Sequence, residues 1–515
     1  MATKRRKKAS PARQAPARPV RFTGALLLQR RRRRGLAAGP DRVDVLLKSL
    51  GLGPALPLAP PRLALAVGAA PSEQERWLVV EPLAARAAGA RGAVDEDALL
   101  RRVEELLVAG DDDLEFVEPE LEYTLDFPTP PPSAALAGVD LWHHRHTQVD
   151  AAWRKVGGAA RAGQGVVVAH LDTGLVHQHE MVRALLHQER VLVDKAWDFV
   201  DKKAGAADPM TEPSLVHYRH PGHGTGTVGV LAARPEPGQA QRYSGTAPGV
   251  TVLPVRAGSC VVQIRTRQLG NALFYAAQQG ASVITLSMGG LPSQYWAAAV
   301  NEAYQRGTLL VAAAGNHFAM VGGALRTPTG VVYPARFERA LAVSGVTAAE
   351  ERYRLDQGMS GNDGPEVGLC APTPEIWWAD AKSATGYQRN GGTSSATPQV
   401  AGAAAMWLAH HRSALESLPL SPWARVENVR RALLRSAQKV GVKHGAPPYT
   451  AVSGEAGRTR NDWFGDGRLD CAAALDIAPV SESALAQRPP ADARGAVLKL
   501  LGLDALWRKL ADVLN

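Results

Sequence analysis

Cysteine is scarce in this sequence, and long apolar runs are missing. The 515 residues include only three cysteines, Cys260, Cys370 and Cys471, far apart along the chain. This odd number argues against a disulfide framework and is typical of a reducing compartment. Before Arg30 the only unbroken aliphatic run is LLL at 26–28, whereas a secretory signal has an apolar core of about 7 to 15 residues. No segment reaches membrane-spanning length, so we expect a cytoplasmic location, with export by an unconventional route as the alternative.

Acidic residues are absent from the first 40 positions, although 13 of the 59 Lys and Arg residues lie there. The rest of the chain holds 46 basic and 49 acidic residues, so the formal charge of +10 belongs to this segment. We expect residues 1–40 to form a disordered basic arm. It is either a solvated tail, which the lack of interleaved aromatic residues favours, or a contact for an anionic partner. Within the chain, the acidic stretch 111–126 is a candidate partner.

Hydrophobic periodicity predicts the fold class of the central region. Short apolar runs alternate there with segments of helical spacing, in the order 251–256, 262–279, 282–287, 295–306, 309–314 and 340–345. This alternation predicts an α/β protein with a doubly wound, mostly parallel sheet and helices on both faces. The sequence has no internal repeat, and its length suffices for one large domain and a small one.

Three motifs carry candidate catalytic residues: AHLDTG around Asp172, GHGTGTVG around His223 and GTSSATPQVAG around Ser394. The run VVVAHL predicts a buried strand that ends at Asp172, where catalytic groups of open α/β sheets lie. His223 begins an apolar, glycine-rich helix. Ser394 precedes an alanine-rich helix, so it lies at a helix amino end that favours the negative charge formed during acyl transfer.

Each motif has a plainer interpretation when taken alone. Asp-Thr-Gly is also the aspartic-peptidase signature, although that chemistry needs a second such carboxylate or a dimer. His-Gly-Thr and Gly-Thr-Ser occur in many loops. Together, in the order Asp, His, Ser, the motifs indicate a Ser-His-Asp hydrolase, because this order is that of subtilisin and differs from those of chymotrypsin and the α/β-hydrolases.

Over about residues 141–478 the chain resembles the subtilisin-like serine peptidases, the subtilases. Further similar segments are GTAPGVTVLPVRAG at 245–258, ASVITLSMGG at 281–290 and LLVAAAGN at 309–316. The resemblance implies a serine endopeptidase that needs no cofactor, acts on extended segments of proteins or peptides, and uses Asp172, His223, Ser394 and the oxyanion-hole residue Asn316. It also implies two cleft walls that pair with the substrate backbone, formed by Ser287, Met288, Gly289 and Gly290 and by Ala313, Ala314 and Gly315.

Three residues depart from the pattern of the family. Ser395 stands where methionine is usual, Gln399 where histidine is usual, and Gly226 where histidine is frequent. None of them removes a group that the chemistry needs. Ser395 is an alternative nucleophile, but the spacing to the following Ala-Thr-Pro assigns this role to Ser394.

A small α/β unit is expected before the peptidase domain. Strand-like runs at 75–82 and within 113–127 flank a segment of helical spacing at 95–108. This unit, 75–127, resembles a subtilase pro-domain that inhibits its own cleft, or else it is an ordinary packing subdomain. The proline-rich residues 128–140 form a linker, with self-cleavage expected between Leu125 and Ala135. Residues 41–74 are expected as a linker or poorly ordered segment, and 479–515 as a link and an amphipathic helix docked on the body of a monomer.

Metal binding is a minor alternative. The sequence offers a histidine cluster (His177, His179, Glu180, His217 and His220) and an aspartate cluster (Asp462, Asp466 and Asp470). Neither has the spacing of a zinc or calcium site, so we predict no catalytic metal and leave a structural calcium unplaced. Two other functions stay open: a catalytically silent peptide-binding scaffold and a nucleic-acid-associated protein that uses the basic arm.

Overall fold

The computed structural model describes most of the chain. The described residues are 20–31, 42–50, 52–58, 72–81, 94–109, 114–123, 141–211, 220–234, 244–262, 265–317, 329–355 and 359–503. Within these ranges no helix is both long enough and apolar enough to cross a membrane. The predicted linker 128–140 and the predicted self-cleavage region lie outside them.

The larger domain is built on an eight-stranded sheet with the order β15-β12-β10-β9-β5-β8-β6-β7. All neighbouring strands are parallel except the short pair β6 and β7. The strands are β5 (Val167–Asp172), β6 (Trp197–Asp198), β7 (Lys203–Ala204), β8 (Thr251–Arg256), β9 (Val283–Leu286), β10 (Leu309–Ala313), β12 (Ala340–Val346) and β15 (Val367–Pro372). Their Val, Leu, Ile and Ala side chains are buried on both faces, as parallel sheets require.

Helices cover both faces of this sheet, which confirms the doubly wound α/β class. Alternate residues of each strand enter different hydrophobic clusters: Val168 joins one, while Ala169 and Leu171 join the other. The helices of the domain are α3 (Trp142–His146), α4 (Val149–Val156), α5 (Glu180–His187), α6 (His223–Ala232), α7 (Thr266–Gln278), α8 (Gln294–Gln305), α9 (Thr393–His410), α10 (Arg412–Ser417), α11 (Pro422–Ser436) and α12 (Cys471–Leu475).

Short strands complete the loops around the sheet. They form three small antiparallel groups, with β11 (Asn316–His317), β13 (Arg354–Leu355) and β14 (Met359–Gly361) in one, β16 (Ile376–Ala379) and β17 (Tyr387–Asn390) in another, and β18 (Thr450–Ala451) and β19 (Thr459–Arg460) in the third. Single turns of 3-10 helix cover Glu73–Arg76, Ala159–Arg161, Val193–Lys195, Val442–His444 and Glu482–Ala484.

The amino-terminal residues form a second, antiparallel sheet with the order β2-β3-β1-β4. Its elements are β1 (Val20–Arg30), α1 (Arg42–Ser49), β2 (Ala55–Pro57), β3 (Trp77–Val80), α2 (Glu96–Ala109) and β4 (Leu114–Tyr123). The prediction that residues 1–40 are a disordered arm is therefore wrong for 20–30. The aliphatic run LLL lies in a central strand and is completely buried, and this burial outweighs the charge of the flanking arginines.

The small unit is consequently larger than the predicted 75–127. Residues 42–58, expected as a linker, contribute α1 and β2, and β2 pairs with β3. The predicted helix is present as α2, which buries Val103, Leu106 and Leu107. We call β1 to β4 with α1 and α2 the amino-terminal unit.

The amino-terminal unit packs against α7 and α8 of the larger domain. Trp77 of β3 meets Tyr295 of α8 with ring centroids 5.0 Å apart, and both residues belong to the hydrophobic cluster that covers one face of the large sheet. The acidic side chains of β4 also turn to this interface: Glu120 pairs with Arg267 of α7. We expected the acidic stretch 111–126 as a binding partner of the basic arm. This expectation is corrected at Glu118 and Glu120, which bind the larger domain instead.

The carboxy-terminal segment runs back along α8. Asn301 exchanges two hydrogen bonds with the main chain of Ala491, and Gln294 accepts one from the Ala493 amide. Helix α13 (Arg494–Leu500) then buries Val497 and Leu498 in the cluster that α8 shares with the amino-terminal unit. The predicted docking of this segment is present, although residues 504–515 of the predicted helix lie outside the described residues.

Candidate active site

Asp172 and His223 form a buried hydrogen-bonded pair. Asp172 is the last residue of β5, is 1% exposed, and its Oδ1 lies 2.7 Å from His223 Nδ1. The Thr173 amide donates to the same oxygen at 2.8 Å, and the Thr227 hydroxyl donates to Oδ2 at 3.0 Å. With Nδ1 directed to the carboxylate, the other ring nitrogen of His223, which has no hydrogen-bond partner among the described residues, is the one that can transfer a proton.

Burial and hydrogen bonding oppose each other at Asp172. Burial raises the pKa of the Asp172 carboxyl, but the adjacent His223 and the Thr173 amide lower it, and the result lies below the usual value. The carboxylate therefore stays ionised at neutral pH. A charged acceptor at this place fixes the imidazole tautomer and stabilises the imidazolium that forms when His223 takes up a proton.

Glycines let the helix that carries His223 approach β5 closely. A Cβ at Gly224 would lie 2.3 Å from the Gly174 carbonyl oxygen and 3.1 Å from the Asp172 Cβ. Gly222, which precedes His223, has φ of +78°, a conformation that favours glycine. The glycines of the His223 motif thus set the distance between the acid and the base.

Trp378 explains why glycine replaces the frequent histidine at position 226. A Cβ at Gly226 would lie 1.6 Å from Trp378 Nε1, so the indole of β16 fills the place of a side chain. The same indole meets the His223 ring edge to face, with centroids 5.4 Å apart. Reasoning from the sequence missed Trp378, and its one signal was the unusual glycine.

Ser394 lies in the first turn of α9. Helix α9 begins at Thr393, after Gly392 with φ of +82°, and the Ser394 side chain is 8% exposed. Its hydroxyl donates to the Ser287 carbonyl oxygen at 3.4 Å. Within the described part of the chain, no hydrogen bond joins this hydroxyl to His223. Hydrogen bonds between catalytic groups are often loose before substrate binds.

Ser395 is completely buried, and its hydroxyl donates to the Gly391 carbonyl oxygen at 3.1 Å. Gln399, the other departure in this helix, donates to the carbonyl oxygens of Pro372 and Ser395 at 2.9 and 2.8 Å. Both side chains therefore hold the main chain around the start of α9. The choice of Ser394 over Ser395 agrees with this burial.

Asn316 lies beside the start of α9. Its Oδ1 accepts a hydrogen bond from the Thr393 amide at 3.0 Å, which leaves the Nδ2 group as a donor near Gly392, where a Cβ would lie 3.1 Å from it. The main chain thus orients the amide of Asn316 next to Ser394. This is the arrangement of an oxyanion hole, in which a fixed donor faces developing negative charge.

The two predicted cleft walls follow neighbouring strands. Ser287 to Gly290 follow β9, Ala313 ends β10 and Ala314 follows it, and the two strands are parallel neighbours. The Ser287 hydroxyl donates to the Ser394 carbonyl oxygen at 3.0 Å, which ties the first wall to α9. Gly315 has φ of +98° and directly precedes Asn316. Met288 is buried in the hydrophobic cluster that includes α7 and α8.

Two of these wall residues cannot pair with substrate as expected. The Gly290 amide and carbonyl both bond to Tyr333, and the Ala314 amide and carbonyl bond to Val343 and Val332. The predicted pairing of Gly290 and Ala314 is therefore corrected: their main-chain groups hold the walls in place. The Gly289 amide also has a partner, the Val261 carbonyl oxygen at 3.1 Å.

Asp208 is a further residue that the sequence did not suggest. Its Oδ2 accepts from the Thr173 hydroxyl and from the Gly222 amide, each at 2.8 Å. The Thr173 hydroxyl in turn accepts from the Gly224 amide at 3.1 Å. These bonds join the turn after Asp172 to the start of the His223 helix, so Asp208 helps to hold the acid and the base together.

Several of the candidate metal ligands have structural partners. His179 bonds to the Met181 amide and to Gly386, His220 contacts the Cys260 sulfur, and Asp466 pairs with Arg458. Asp470 caps α12. Among the described residues no group of three His, Cys, Asp or Glu side chains could hold a metal ion, and His217 lies outside them. A structural calcium stays unplaced.

Comparison with known proteins agrees with this arrangement. A sequence profile of the subtilase family matches residues 163–458, which is more than half of the chain. The chain belongs to the subtilase family. Thermitase of Thermoactinomyces vulgaris is 30% identical over 279 residues, 54% of this chain and 83% of thermitase. Subtilisin BL of Lederbergia lenta is 30% identical over 247 residues, 47% and 76% of the two chains. This subtilase is a subtilisin-like serine peptidase.

The fold of this subtilase also has a solved relative. The crystal structure of fervidolysin from Fervidobacterium pennivorans, a keratinolytic enzyme related to subtilisin, superposes with a TM-score of 0.56 at 16% identity. The match covers 89% of this subtilase and 62% of fervidolysin. At this identity the likeness concerns the fold alone.

Proposed function

We propose that this subtilase hydrolyses peptide bonds within extended protein segments through Asp172, His223 and Ser394. The observation that carries the proposal is the 2.7 Å bond between His223 and the buried Asp172 carboxylate, close to a serine at a helix amino end. A hydrogen-bonded acid and base beside a nucleophile are the elements of acyl transfer. The substrates are protein or peptide chains, and the reaction needs no cofactor.

The steps follow from the roles of these groups. The Ser394 oxygen bonds to the scissile carbonyl carbon, the carbonyl electron pair moves to oxygen, and His223 takes the hydroxyl proton. When the tetrahedral intermediate collapses, the carbon–nitrogen bond breaks and His223 gives its proton to the leaving amine. Water then attacks the acyl-enzyme with His223 again as the base, which releases the acid and restores Ser394.

The oxyanion of this intermediate is stabilised by two donors. The Asn316 Nδ2 group and the Ser394 amide lie at the start of α9, where the helix dipole also favours negative charge. The Asn316 amide is held by its bond to the Thr393 amide, so it needs no reorientation as charge develops. Such preorganised donors contribute more than flexible ones.

A serine-directed probe tests this proposal on matched variants. Wild type, Ser394→Ala and Ser395→Ala are treated with a fluorophosphonate, which bonds only to an activated serine. We expect labelling of wild type and Ser395→Ala and none of Ser394→Ala. Labelling of Ser394→Ala would move the nucleophile to another residue. A folded wild type that is never labelled is either blocked by its amino-terminal unit or a peptide-binding scaffold. Labelling after added protease has removed residues 1–135 separates these two cases.

We also propose that the chain is made as a self-inhibited zymogen. The amino-terminal unit packs on α7 and α8 through Trp77, Glu118 and Glu120, and residues 124–140 connect it to the larger domain. These contacts between the amino-terminal unit and the larger domain support a pro-domain rather than a separate module. Comparing the intact mass of wild type and Ser394→Ala tests it, because we expect only the wild type to be cut between Leu125 and Ala135.

Location and assembly remain proposals that rest on the sequence. Three free cysteines, all buried, agree with a reducing cytoplasm, and we propose a monomer. The basic residues before 20 are proposed as a solvated tail with an anionic partner as the alternative. Cell fractionation, sedimentation and salt-dependent DNA binding with and without this tail check the three statements.

A further inference from the structure

The catalytic Asp172 has a second histidine behind it. His170 lies two residues earlier in β5, so the two side chains project from the same face of the sheet. Thr227 lies one turn after His223 in α6, with its side chain on the same side of that helix. His170 and Thr227 are 2% and 1% exposed. Two buried polar side chains outside the triad therefore lie beside the catalytic carboxylate.

The Thr227 hydroxyl lies between His170 and Asp172. Its oxygen is 2.8 Å from His170 Nε2 and 3.0 Å from Asp172 Oδ2. The carbonyl oxygens of His223 and Gly224 are also near it, at 3.3 and 3.2 Å. A hydroxyl has one proton to donate, and a hydrogen bond to a carboxylate is stronger than one to a neutral acceptor. The Thr227 proton therefore lies on the bond to Asp172.

This direction of the Thr227 bond fixes the tautomer of His170. With its proton on the bond to Asp172, the Thr227 oxygen can only accept from His170, so Nε2 of His170 carries a proton. Burial lowers the pKa of His170 to about 4, so at neutral pH the ring is uncharged and Nε2 holds its one proton. A chain of bonds thus runs from His170 through Thr227 to Asp172, and each bond polarises the next.

We propose that His170 and Thr227 are positioning residues of this active site. By keeping Oδ2 of Asp172 occupied, they lower the pH at which His223 begins to act as a base. A carboxylate that accepts a bond at Oδ2 attracts the imidazole proton at Oδ1 less strongly. The imidazolium is then less stabilised, so His223 is ready to take the Ser394 proton at a lower pH. The inference rests on the proposed function and adds the pH range of that same site.

Other titratable and charged groups also face the acid and the base. The centroid of the His220 ring lies 6.0 Å from that of His223, and burial lowers the pKa of His220 to about 3. Arg256 of β8 donates to the Thr173 carbonyl oxygen at 3.1 Å, and Asp208 accepts from the Thr173 hydroxyl at 2.8 Å. These groups are the same in every variant described below. A difference between the variants therefore reports the chain of bonds alone.

The test measures the rate of fluorophosphonate labelling between about pH 5 and 9, a range in which the base gains its activity. This probe bonds to the serine and needs no particular peptide sequence. In wild type the rate should rise through a midpoint as His223 loses its proton. Thr227→Val keeps the shape of the side chain and removes the hydroxyl, so we expect the midpoint to rise by about one pH unit. His170→Leu should shift it in the same direction by less.

Conservative and matched variants control for changes in packing. Thr227→Ser and His170→Gln keep a hydroxyl and an N–H donor, so their midpoints should stay near that of wild type. Thr225→Val makes the same change in the same helix, at a hydroxyl that accepts from the Val176 amide at 2.9 Å, and should leave the midpoint unchanged. The double variant His170→Leu/Thr227→Val should shift no further than Thr227→Val alone, because His170 acts through Thr227.

The outcomes separate this inference from the proposed function. If wild type is labelled neither intact nor after removal of residues 1–135, the proposed function fails and this inference with it. If wild type is labelled but Thr227→Val keeps its midpoint, or Thr225→Val shifts by the same amount, the inference alone is overturned. If Thr227→Val does not fold, His170→Leu and His170→Gln provide the same comparison, and equal midpoints in these two variants overturn the inference.

Discussion

At the residue scale, Gly226 and Trp378 form a matched pair beside the catalytic imidazole. The indole occupies the volume of a missing side chain and meets the His223 ring. We predict that Gly226→Ala lowers the free energy of unfolding by about 1–3 kcal/mol, because the added methyl group overpacks this contact. It should also lower kcat/KM at least about tenfold, because the shifted indole displaces the base and small misplacements are costly.

The double variant Gly226→Ala/Trp378→Ala is the control for this prediction. Removing the indole gives the new methyl group room, so kcat/KM should recover relative to Gly226→Ala. Urea unfolding and peptide hydrolysis measure the two effects. Additive losses in the double variant would show that the two residues do not act through their contact.

Asn316 offers a test of the oxyanion hole. We predict that Asn316→Asp lowers kcat by about 100- to 1000-fold with little change in KM, the magnitude found when a subtilisin lost its oxyanion-hole asparagine. Aspartate retains an oxygen to accept the Thr393 amide but loses the Nδ2 donor, so the start of α9 is preserved. Asn316→Ala removes both functions. Full activity in Asn316→Asp would exclude this side chain as the donor.

The sequence identified the residues whose motifs are local and missed those whose partners come from distant segments. Asp172, His223, Ser394 and Asn316 each follow or begin a strand or helix that the hydrophobic pattern predicts, and the structure brings them to the same edge of the sheet. Asp208 has no motif, because its bonds to Thr173 and Gly222 depend on the path of a loop. The sequence likewise does not show which main-chain groups of the cleft residues already have hydrogen-bond partners within the protein.

At the element scale, the amino end of α8 is capped by another part of the chain. The buried Glu118 carboxylate of β4 accepts hydrogen bonds from the Ser293 hydroxyl and from the amides of Gln294 and Tyr295, at 2.8, 2.8 and 3.1 Å. Amides at the start of a helix lack partners within it, and the helix dipole favours a negative charge there. One side chain thus connects the amino-terminal unit to the helix.

We predict that Glu118→Gln loosens this attachment. Burial raises the pKa of the Glu118 carboxyl to about 7, against the three hydrogen bonds that lower it, so the group is charged above that pH. A hydrogen bond to a charged group contributes about 1.5–3 kcal/mol, so above about pH 8 opening of the amino-terminal unit should become about 10- to 100-fold more frequent. Hydrogen exchange of β3 and β4 amides in a Ser394→Ala background, which cannot cut itself, measures the opening. Glu105→Gln, on α2 with a solvent-exposed side chain, is the matched control. Equal exchange in both variants would contradict the role of the cap.

The element that sequence reasoning placed worst was β1. Clusters of arginine on both sides suggested a solvated arm, but composition averages over residues that the fold treats differently. Leu26 to Leu28 lie in the middle of a sheet, with partners on β3 and β4 that are about 50 and 90 positions away. A local sequence pattern does not show which distant segments a strand pairs with. The hydrophobic period of a helix is local, and α2 was predicted within one residue at each end.

At the scale of the whole molecule, one hydrophobic cluster joins three parts of the chain. It contains residues of the amino-terminal unit, of one face of the large sheet with α7 and α8, and of the carboxy-terminal segment around Val497. The same region carries the Glu118 cap and the bonds of Asn301 to Ala491. We infer that removal of the amino-terminal unit exposes apolar surface on α8 beside the carboxy-terminal segment.

Buried histidines connect the stability of the whole molecule to pH. Burial lowers the pKa of His144 to about 3, of His170 to about 4 and of His220 to about 3. An unfolded histidine has a pKa of about 6.5, so below that pH the unfolded chain binds protons that the folded chain refuses. Stability is therefore complete above about pH 6.5 and falls as the pH decreases, by up to about 1.4 kcal/mol per pH unit for each such histidine.

We predict that replacing one of these histidines reduces the slope of the free energy of unfolding against pH by the contribution of that histidine. His144 contacts the Trp153 and His143 rings, with centroids 5.3 and 4.5 Å apart, so His144→Phe keeps the aromatic packing and removes the titration. Urea unfolding of Ser394→Ala protein between pH 7.5 and 4.5 should then show a slope smaller by about 1.4 kcal/mol per pH unit. His410→Phe, at an exposed position on α9, should leave the slope unchanged. If the two variants shared one slope, His144 would not contribute to the acid sensitivity, which would then come from His170, His220 or carboxylates whose pKa is lower in the folded than in the unfolded chain.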